Sequence, residues 1–295
     1  MSSINNIDLS RINGISQLDN LVAETTKLVS LPDIYYRLEA LIEQPDSSMD
    51  DFAEILSADP DLCARLLSIA NSAFYSFPTR IDSVSKAVRT IGLRQIRELV
   101  LATTVMKMFN KMPLGMVNMT SFWEHSVGVG VLAVAIAKET GQPQSERYYV
   151  AGLLHDIGRL ILFLKLPGLM RDLLLQREVQ EKLLFLLETD ELGYSHAEIG
   201  GRLLENWRVP QSISEPVYYH HYPEKSLDFS HITAAVHIAD ACINEYRIGS
   251  SGERFVPEID ESAMILLGLD SDRLKQIWSD SETKIHEVIR QFVNH

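Results

Sequence analysis

The chain has 295 residues, of which 46% are hydrophobic and 23% charged, and its net charge is −13 from 27 basic and 40 acidic residues. This composition excludes a mostly disordered chain, a collagen-like fibre and a disulfide-stapled miniprotein. Binding to nucleic acid needs clustered Lys and Arg, and the sequence has no basic run, so we expect no nucleic-acid partner.

Helix signals dominate the sequence from about residue 21 onward. Residues 1–20 have few large apolar side chains and no periodicity, which predicts a mobile or loosely docked tail. Pro32, the pair Asp59–Pro60 and Ser83 each precede an apolar-periodic segment, as residues at helix starts do. A further helix is predicted over 95–109.

The later helices are separated by short turns that contain Gly or Pro. They are predicted over residues 120–140, 145–155, 171–189, 196–207, 212–220, 230–246, 260–267 and 270–293. Alternating strand patterns bounded by turn signals are missing. We therefore predict an all-α fold.

The N-terminus and the apolar runs indicate where the protein resides. The first 14 residues, MSSINNIDLSRING, lack the basic and apolar regions of a signal peptide. The longest apolar runs, such as 127–137, are shorter than the ~18–20 residues of a membrane span. Two cysteines, Cys63 and Cys242, cannot form a disulfide framework. We expect a cytoplasmic protein with no membrane partner.

Histidines and carboxylates crowd into one stretch of the chain. Seven of the nine histidines lie between 125 and 237, and His286 and His295 are interpreted as surface residues. Asp240 lies in the apolar segment AAVHIADA, where an unpaired buried carboxylate is costly. The pair His155 and Asp156 has an equally apolar surround. A metal or another cation would neutralise these carboxylates.

Taken singly, each histidine has a plainer explanation. His125 lies on an apolar helix face and by itself would be a core histidine. His231 is interpreted as a capping or surface residue. His237 lies one helical turn before Asp240, so it could support a site through a hydrogen bond, although a core or helix-surface position is the simpler interpretation.

The histidines and aspartates taken together favour a transition metal. Imidazole nitrogen and carboxylate oxygen suit Fe, Mn, Zn, Co or Ni better than Ca or Mg. Seven ligands are too many for one tetrahedral ion but could hold two ions with an aspartate as the bridge. The candidate ligands are His125, His155, Asp156, His196, His220, His221 and Asp240.

Several segments resemble known bacterial domains. The segment LLHDIGRL resembles the signature of the HD superfamily of metal-dependent phosphohydrolases, and the seven candidate ligands resemble the series of its HD-GYP branch. The segments SADPDLCARLLSIANSAFYSFPTRIDSVSKAVRTIGLRQIREL and GYSHAEIGGRLLENWRVPQSISEPVYYHHYP resemble HDOD domains, the HD-related output domains of bacterial signalling. The resemblance covers about Leu31 to Tyr246 and implies an HD-like helical bundle with an N-terminal helical lobe.

The sequence pattern and the resemblance together predict a domain division, and the resemblance implies a ligand assignment. The expected segments are a tail over 1–20, an N-terminal helical lobe over 21–115, an HD-like metal-binding lobe over 116–246 and acidic helices over 247–295. The first ion is expected at His125, His155, Asp156 and Asp240. The second ion is expected at Asp156, as the bridge, with His196, His220 and His221.

The sequence also departs from the HD-GYP pattern. After His221 it reads YPEKSL, whereas HD-GYP phosphodiesterases continue with an acidic, Gly-rich run that ends in Gly-Tyr-Pro. Arg159 stands where that branch usually has Lys, which keeps the charge and changes the geometry. Many HDOD domains have lost the HD pair and are regarded as non-catalytic interaction modules, but this chain retains the ligand series.

Three functions remain open on these grounds. The first is a stand-alone regulatory or signalling module that binds a signalling protein and holds a structural or sensory metal. The second is a metal-dependent phosphohydrolase or phosphodiesterase that acts on a phosphate-containing small molecule, with Asp156 and Arg159 as catalytic residues. The third is a di-iron oxygenase of the same superfamily.

Overall fold

The structure, a computed structural model, describes residues 9–293 apart from 45, 72–74, 76, 111–114, 117 and 144, and side chains other than those of 9–15, 28 and 145. Regular structure in this part of the chain consists of 16 α-helices and one short 3₁₀ helix, with no β-strand. The prediction of an all-α fold is therefore confirmed.

The first six helices precede the HD segment. They are α1 (Leu9–Leu28), α2 (Asp33–Glu43), α3 (Met49–Ser57), α4 (Pro60–Ala70), α5 (Val84–Ile91) and α6 (Leu93–Asn110). Seven further helices and the 3₁₀ turn carry all the candidate ligands except Asp240 or lie between them. They are α7 (Met119–Glu139), α8 (Ser145–Leu154), α9 (Ile157–Lys165), α10 (Pro167–Gln180), α11 (Leu184–Leu192), α12 (His196–Asn206), α13 (Gln211–Tyr219) and the 3₁₀ turn Pro223–Lys225. The last three are α14 (Ser230–Glu245), α15 (Glu261–Leu267) and α16 (Ser271–Val293).

Helix starts agree with the sequence signals. The Asp59 side chain accepts a hydrogen bond from the Leu62 N–H at 3.1 Å, and Pro60 occupies the first turn of α4. Ser83 caps α5 in the same way through the Lys86 N–H at 3.2 Å. Both predicted helix starts are confirmed.

The helix α7 lies at the centre of the molecule and packs against α8, α14 and α16. It is long and apolar enough to cross a membrane, with a mean hydropathy of 1.3 over its most apolar 18 residues, although its uninterrupted apolar run over 127–137 is shorter than a membrane span. However, 72% of its most apolar window is buried inside the protein, as is typical of the core helix of a globular fold.

Two close helix contacts depend on glycine. A Cβ added to Gly152 on α8 would lie 2.7 Å from the Cα of Gly130 on α7. A Cβ added to Gly158 on α9 would overlap the carbonyl oxygen of His196 at the start of α12. These contacts hold the turn that carries His155 and Asp156 tightly between α7 and α12.

Two predictions about elements were wrong in part. Residues 9–20, predicted to be tail, form the first part of α1, because Leu18 and Val22 lie one turn apart and are both buried. The predicted helix over 171–189 is two helices, α10 and α11, because Glu181 has a left-handed backbone with φ 51° that ends α10.

Helices on either side of the predicted lobe boundary at residue 115 pack directly on one another. The Arg147 Nε of α8 lies 3.6 Å from the buried Glu98 Oε1 of α6. The Trp207 indole N–H, just after α12, donates to the Val29 carbonyl at 3.0 Å. The division into two lobes stays a prediction, and these contacts join the two sides of the boundary.

Candidate metal centre

The seven candidate ligands come from five different places in the fold. His125 lies on α7, His155 and Asp156 form the turn between α8 and α9, and His196 begins α12. The remaining three are His220 and His221, which follow α13, and Asp240, which lies on α14. The structure brings all seven side chains into one cluster; their role as metal ligands stays a prediction.

One side of the cluster contains His125, His155 and Asp240, whose ligand atoms lie within 4.8 Å of one another. The His125 Nε2 is 3.1 Å from the Asp240 Oδ1 and 3.4 Å from the His155 Nε2. We call these three residues the α7–α14 group.

The other side contains His196, His220 and His221, whose ligand atoms also lie within 4.8 Å of one another. The His196 Nε2 is 3.1 Å from the His221 Nε2. The imidazole rings of His220 and His221 have centroids 4.0 Å apart. We call these three residues the α12–α13 group.

Asp156 lies between the two groups. Its Oδ2 is 3.2 Å from the His155 Nε2 and its Oδ1 is 2.8 Å from the His196 Nε2. Each carboxylate oxygen therefore faces a different group, which is the orientation that a bridging ligand requires.

Hydrogen bonds to backbone carbonyls hold two of the imidazoles with Nε2 toward the cluster. The Nδ1 of His155 lies 2.6 Å from the Gly152 carbonyl, and that of His220 lies 2.8 Å from the Val217 carbonyl. Because a carbonyl oxygen only accepts, each Nδ1 carries the proton and donates. In the neutral form of each ring the lone pair is then on Nε2, as in metal-binding histidines.

The spacing of these nitrogens fits a metal. Two nitrogens bound to one ion at about 2.0–2.1 Å lie about 2.9–3.4 Å apart for angles between octahedral and tetrahedral. The Nε2 pairs at 3.4 Å and 3.1 Å fall in this range. The buried His220 Nε2 has no hydrogen-bond partner among the described residues. The spacing and the unsatisfied His220 nitrogen are both consistent with Nε2 atoms that bind metal.

The carboxylates of the cluster are ionised despite burial. Burial alone would raise the pKa of Asp156, but the Arg159 guanidinium and the neighbouring histidines hold it well below its usual range. Hydrogen bonds from His125 and His155 likewise hold the pKa of Asp240 well below normal against the effect of burial.

The pKa values of the histidines in the cluster are shifted in opposite directions. Burial alone would lower the pKa of His155, but the carboxylates of Asp156 and Asp240 outweigh it and raise the pKa to about 10. Burial lowers the pKa of His220 and His221 well below the usual value, so both are neutral and available as ligands.

Arg159 lies behind Asp156 and is itself buried. Its Nη1 donates to the Ser251 hydroxyl at 2.8 Å and lies 3.7 Å from the Asp156 Oδ2. Its Nε lies 3.5 Å from the Glu188 Oε1. The predicted proximity of Arg159 to the candidate ligands is present in the structure, and its charge offsets part of theirs.

The sequence interpretation missed Glu188, which is fully buried on α11. Its Oε2 accepts hydrogen bonds from the His196 backbone N–H at 2.9 Å and from the His196 Nδ1 at 2.6 Å. Asn244 was also missed; its amide donates to the Asp240 Oδ1 at 2.8 Å. The signal for Glu188 was the same as for Asp240, a carboxylate within an apolar segment, LFLLETDEL.

His237 supports the cluster through the backbone. Its Nε2 accepts from the Asp260 N–H at 2.9 Å, so its Nδ1 carries the proton and donates to the His220 carbonyl at 2.7 Å. His237 therefore connects α14 to the ligand-bearing turn after α13 and to the start of α15. His286 is exposed as predicted, and His295 lies outside the described residues.

Known proteins of similar sequence and structure agree with this architecture. An HDOD domain protein of unknown function from Geobacter sulfurreducens is 26% identical and superposes with a TM-score of 0.75, covering 94% of this chain and 99% of that one. An uncharacterized protein of Treponema pallidum (strain Nichols) is 25% identical over 218 residues, which are 72% of this chain and 41% of that protein. The chain thus spans about two fifths of the length of this relative.

Two further solved structures share the fold at lower identity. A protein of Shewanella amazonensis SB2B named as a candidate phosphohydrolase has a TM-score of 0.72 at 23% identity, covering 92% of this chain and 98% of that one. A protein of Marinobacter aquaeolei VT8 named as a candidate signal transduction protein has a TM-score of 0.72 at 21% identity, covering 98% and 67%.

Family membership follows from the sequence itself. The HDOD domain family matches residues 28–223, which is about two thirds of the chain and includes six of the seven residues in the cluster. The chain belongs to the HDOD domain family.

Proposed function

We propose that this protein is a regulatory HDOD module built around a buried centre of two transition-metal ions, and that it acts through a signalling protein partner. The α7–α14 group would hold one ion and the α12–α13 group the other, with Asp156 between them. The ligand-bearing helices are connected along the chain only through turns or other helices. The metals would therefore fix the positions of these helices relative to one another.

The observation that carries the proposal is the burial of the cluster from solvent. His125, His155, His196 and His220 are each 0% exposed, and both aspartates are 6% exposed or less. A catalytic metal site keeps a coordination position open to substrate. Six of the seven side chains of the cluster are buried, which restricts the access of a substrate, so the burial favours a structural or sensory metal centre over a catalytic one.

A second candidate is a metal-dependent phosphohydrolase. The full ligand set supports it, together with the buried Arg159 beside Asp156 and the partly exposed His221 at the edge of the cluster, stacked on Phe185 with ring centroids 3.9 Å apart. When bound, two metals would lower the pKa of a water molecule and stabilise charge on a phosphoryl group. In this case Arg159 would hold Asp156 ionised.

Turnover by the metal-loaded protein distinguishes the two candidates. The full chain, loaded in turn with Fe, Mn, Ni, Zn and Co, is incubated with bis-p-nitrophenyl phosphate, and metal content is measured in the same samples. The regulatory proposal predicts bound metal without turnover. Turnover that is lost in Asp156→Ala and retained in the surface variant His286→Ala would overturn it in favour of the phosphohydrolase.

A further inference from the structure

A cavity that shares no lining residue with the metal cluster lies between α4, α6 and the last turn of α16. Its volume is about 440 Å³, within the usual range for small-molecule sites. Asp61, Arg65 and Ser68 line it from one face of α4, and Gln291 and Phe292 close it from α16. A ligand here would contact helices from both ends of the chain.

One side chain that lines the cavity, Arg65, is a cation with no ion pair to any described residue. Arg65 is partly buried, and no carboxylate of the described residues lies within 4.0 Å of its guanidinium. The carboxylate of Asp61 also lines the cavity, but it is paired with the Lys107 ammonium at 3.1 Å. Arg65 is therefore available to an anionic group of a ligand.

The cavity also contains an acceptor without a donor. The Gln291 Oε1 is buried and has no hydrogen-bond partner among the described residues. A buried acceptor left unsatisfied costs about 1–3 kcal/mol. An N–H or O–H group of a ligand would satisfy it.

Most of the remaining lining is apolar. Ile69 is 2% exposed, Met106 is 2% exposed, and the Phe292 ring lies 6.1 Å from that of Tyr149. These side chains form a surface that suits the flat or apolar body of an organic molecule better than an inorganic ion.

We propose that this cavity binds a small organic anion with an apolar body, in which the anionic group pairs with Arg65 and an N–H or O–H donor reaches Gln291. The proposal does not depend on the metal cluster. The ligand would join α4 and α6 to α16, and binding would stabilise the folded chain.

Three related compounds test the chemistry of the ligand. Indole-3-acetate has the carboxylate, the aromatic body and the N–H; naphthalene-1-acetate lacks the N–H; and indole lacks the carboxylate. Calorimetric titration of the full chain should show binding of indole-3-acetate at concentrations up to about 5 mM, and weaker binding of the other two. No binding of indole-3-acetate, or equal binding of all three compounds, would overturn the proposal.

Variants test the position of the site. Arg65→Gln should weaken binding of indole-3-acetate about tenfold or more, and Gln291→Met should remove the preference for indole-3-acetate over naphthalene-1-acetate. Arg94→Gln, on an exposed part of α6 away from the cavity, is the control and should bind as the wild type does. Binding unchanged in Arg65→Gln, with the variant folded by circular dichroism, would contradict this assignment.

Discussion

Asp156 lies between the two histidine groups of the cluster. Its two carboxylate oxygens face different histidine groups, and its side chain is buried at 2% exposure. The Arg159 guanidinium, 3.7 Å from Oδ2, stabilises its negative charge. His155 and His196 each lie next to one of these two oxygens, whereas Asp156 contacts both groups. The effect of losing Asp156 should therefore differ from the effect of losing one imidazole.

Asp156→Ala is predicted to lose more metal than any single His→Ala variant, because it would remove a ligand from both ions. Metal per chain, measured by inductively coupled plasma mass spectrometry, should fall to near zero in Asp156→Ala and to an intermediate value in His125→Ala. Equal losses in the two variants would show that Asp156 does not bridge.

Glu188 is predicted to act on only one of the two groups. Glu188→Gln keeps the shape but removes the charge that holds the His196 imidazole, and changes of this kind typically cost about 10–100-fold in metal affinity. Metal titration should show one ion weakened and the other unaffected. Glu258→Gln, at an exposed carboxylate, is the control.

A loss of both ions in Glu188→Gln would contradict the separation of the two groups. An unchanged affinity would show that Glu188 does not position His196.

The sequence indicated the seven residues of the cluster, but not Glu188 and Asn244, which form hydrogen bonds with them. The seven candidate ligands could be found because His and Asp are unusual in apolar helical segments, and unpaired charge there is costly. Asn244 could not be found in this way, because a polar residue near a helix end has many explanations. Only the structure shows that its amide lies 2.8 Å from the Asp240 Oδ1.

Among the elements, the contact between α9 and α12 is the one that most directly positions ligands. It places the turn of His155 and Asp156 against the first residue of α12, His196. The contact depends on Gly158, where any side chain would meet the His196 carbonyl and, at 2.6 Å, the Gly200 backbone nitrogen. Backbone atoms cannot rotate away as a side chain would.

Gly158→Ala is therefore predicted to destabilise the fold by about 1–3 kcal/mol and to reduce metal content, since α9 and α12 must move apart. Urea unfolding and metal analysis measure the two effects. Gly168→Ala on α10, where an added Cβ meets nothing within 4 Å, is the matched control and should change stability by less than about 1 kcal/mol. Equal stabilities of the two variants would refute the steric argument.

Element boundaries were predictable where local chemistry determines them. Asp59 and Ser83 cap helices through hydrogen bonds to residues three positions ahead, so the sequence alone indicates these starts. The break at Glu181 was not predictable, because a left-handed glutamate has no sequence signal. The extent of α1 depends on packing against α12, a contact between residues far apart in the chain.

For the molecule as a whole, one buried carboxyl group at a contact between helices should affect stability at neutral pH. Glu98 on α6 is 3% exposed, and burial raises its pKa to about 7 in spite of Arg147 on α8 and the adjacent Arg97. In the unfolded chain the pKa is the ordinary value of about 4.3. The contribution of Glu98 to stability is therefore fully present below about pH 4 and is lost as the pH rises through 7.

Glu98→Gln should remove this loss. The free energy of unfolding of the wild type, relative to that of the variant, should fall by up to about 3 kcal/mol between pH 5 and pH 8. Urea unfolding at the two pH values, with exposed Glu54→Gln as the control, measures the difference. A constant difference between wild type and Glu98→Gln would contradict the raised pKa.

The central claim is that one buried cluster holds two metal ions on either side of Asp156. Anomalous diffraction from crystals of the full chain, purified without chelator and measured at the absorption edge of the bound metal, tests it most directly. The predicted result is two peaks about 3.5–4 Å apart, one beside His125 and Asp240 and the other beside His196 and His221. A single peak, or no anomalous peak within the seven side chains, would contradict the claim.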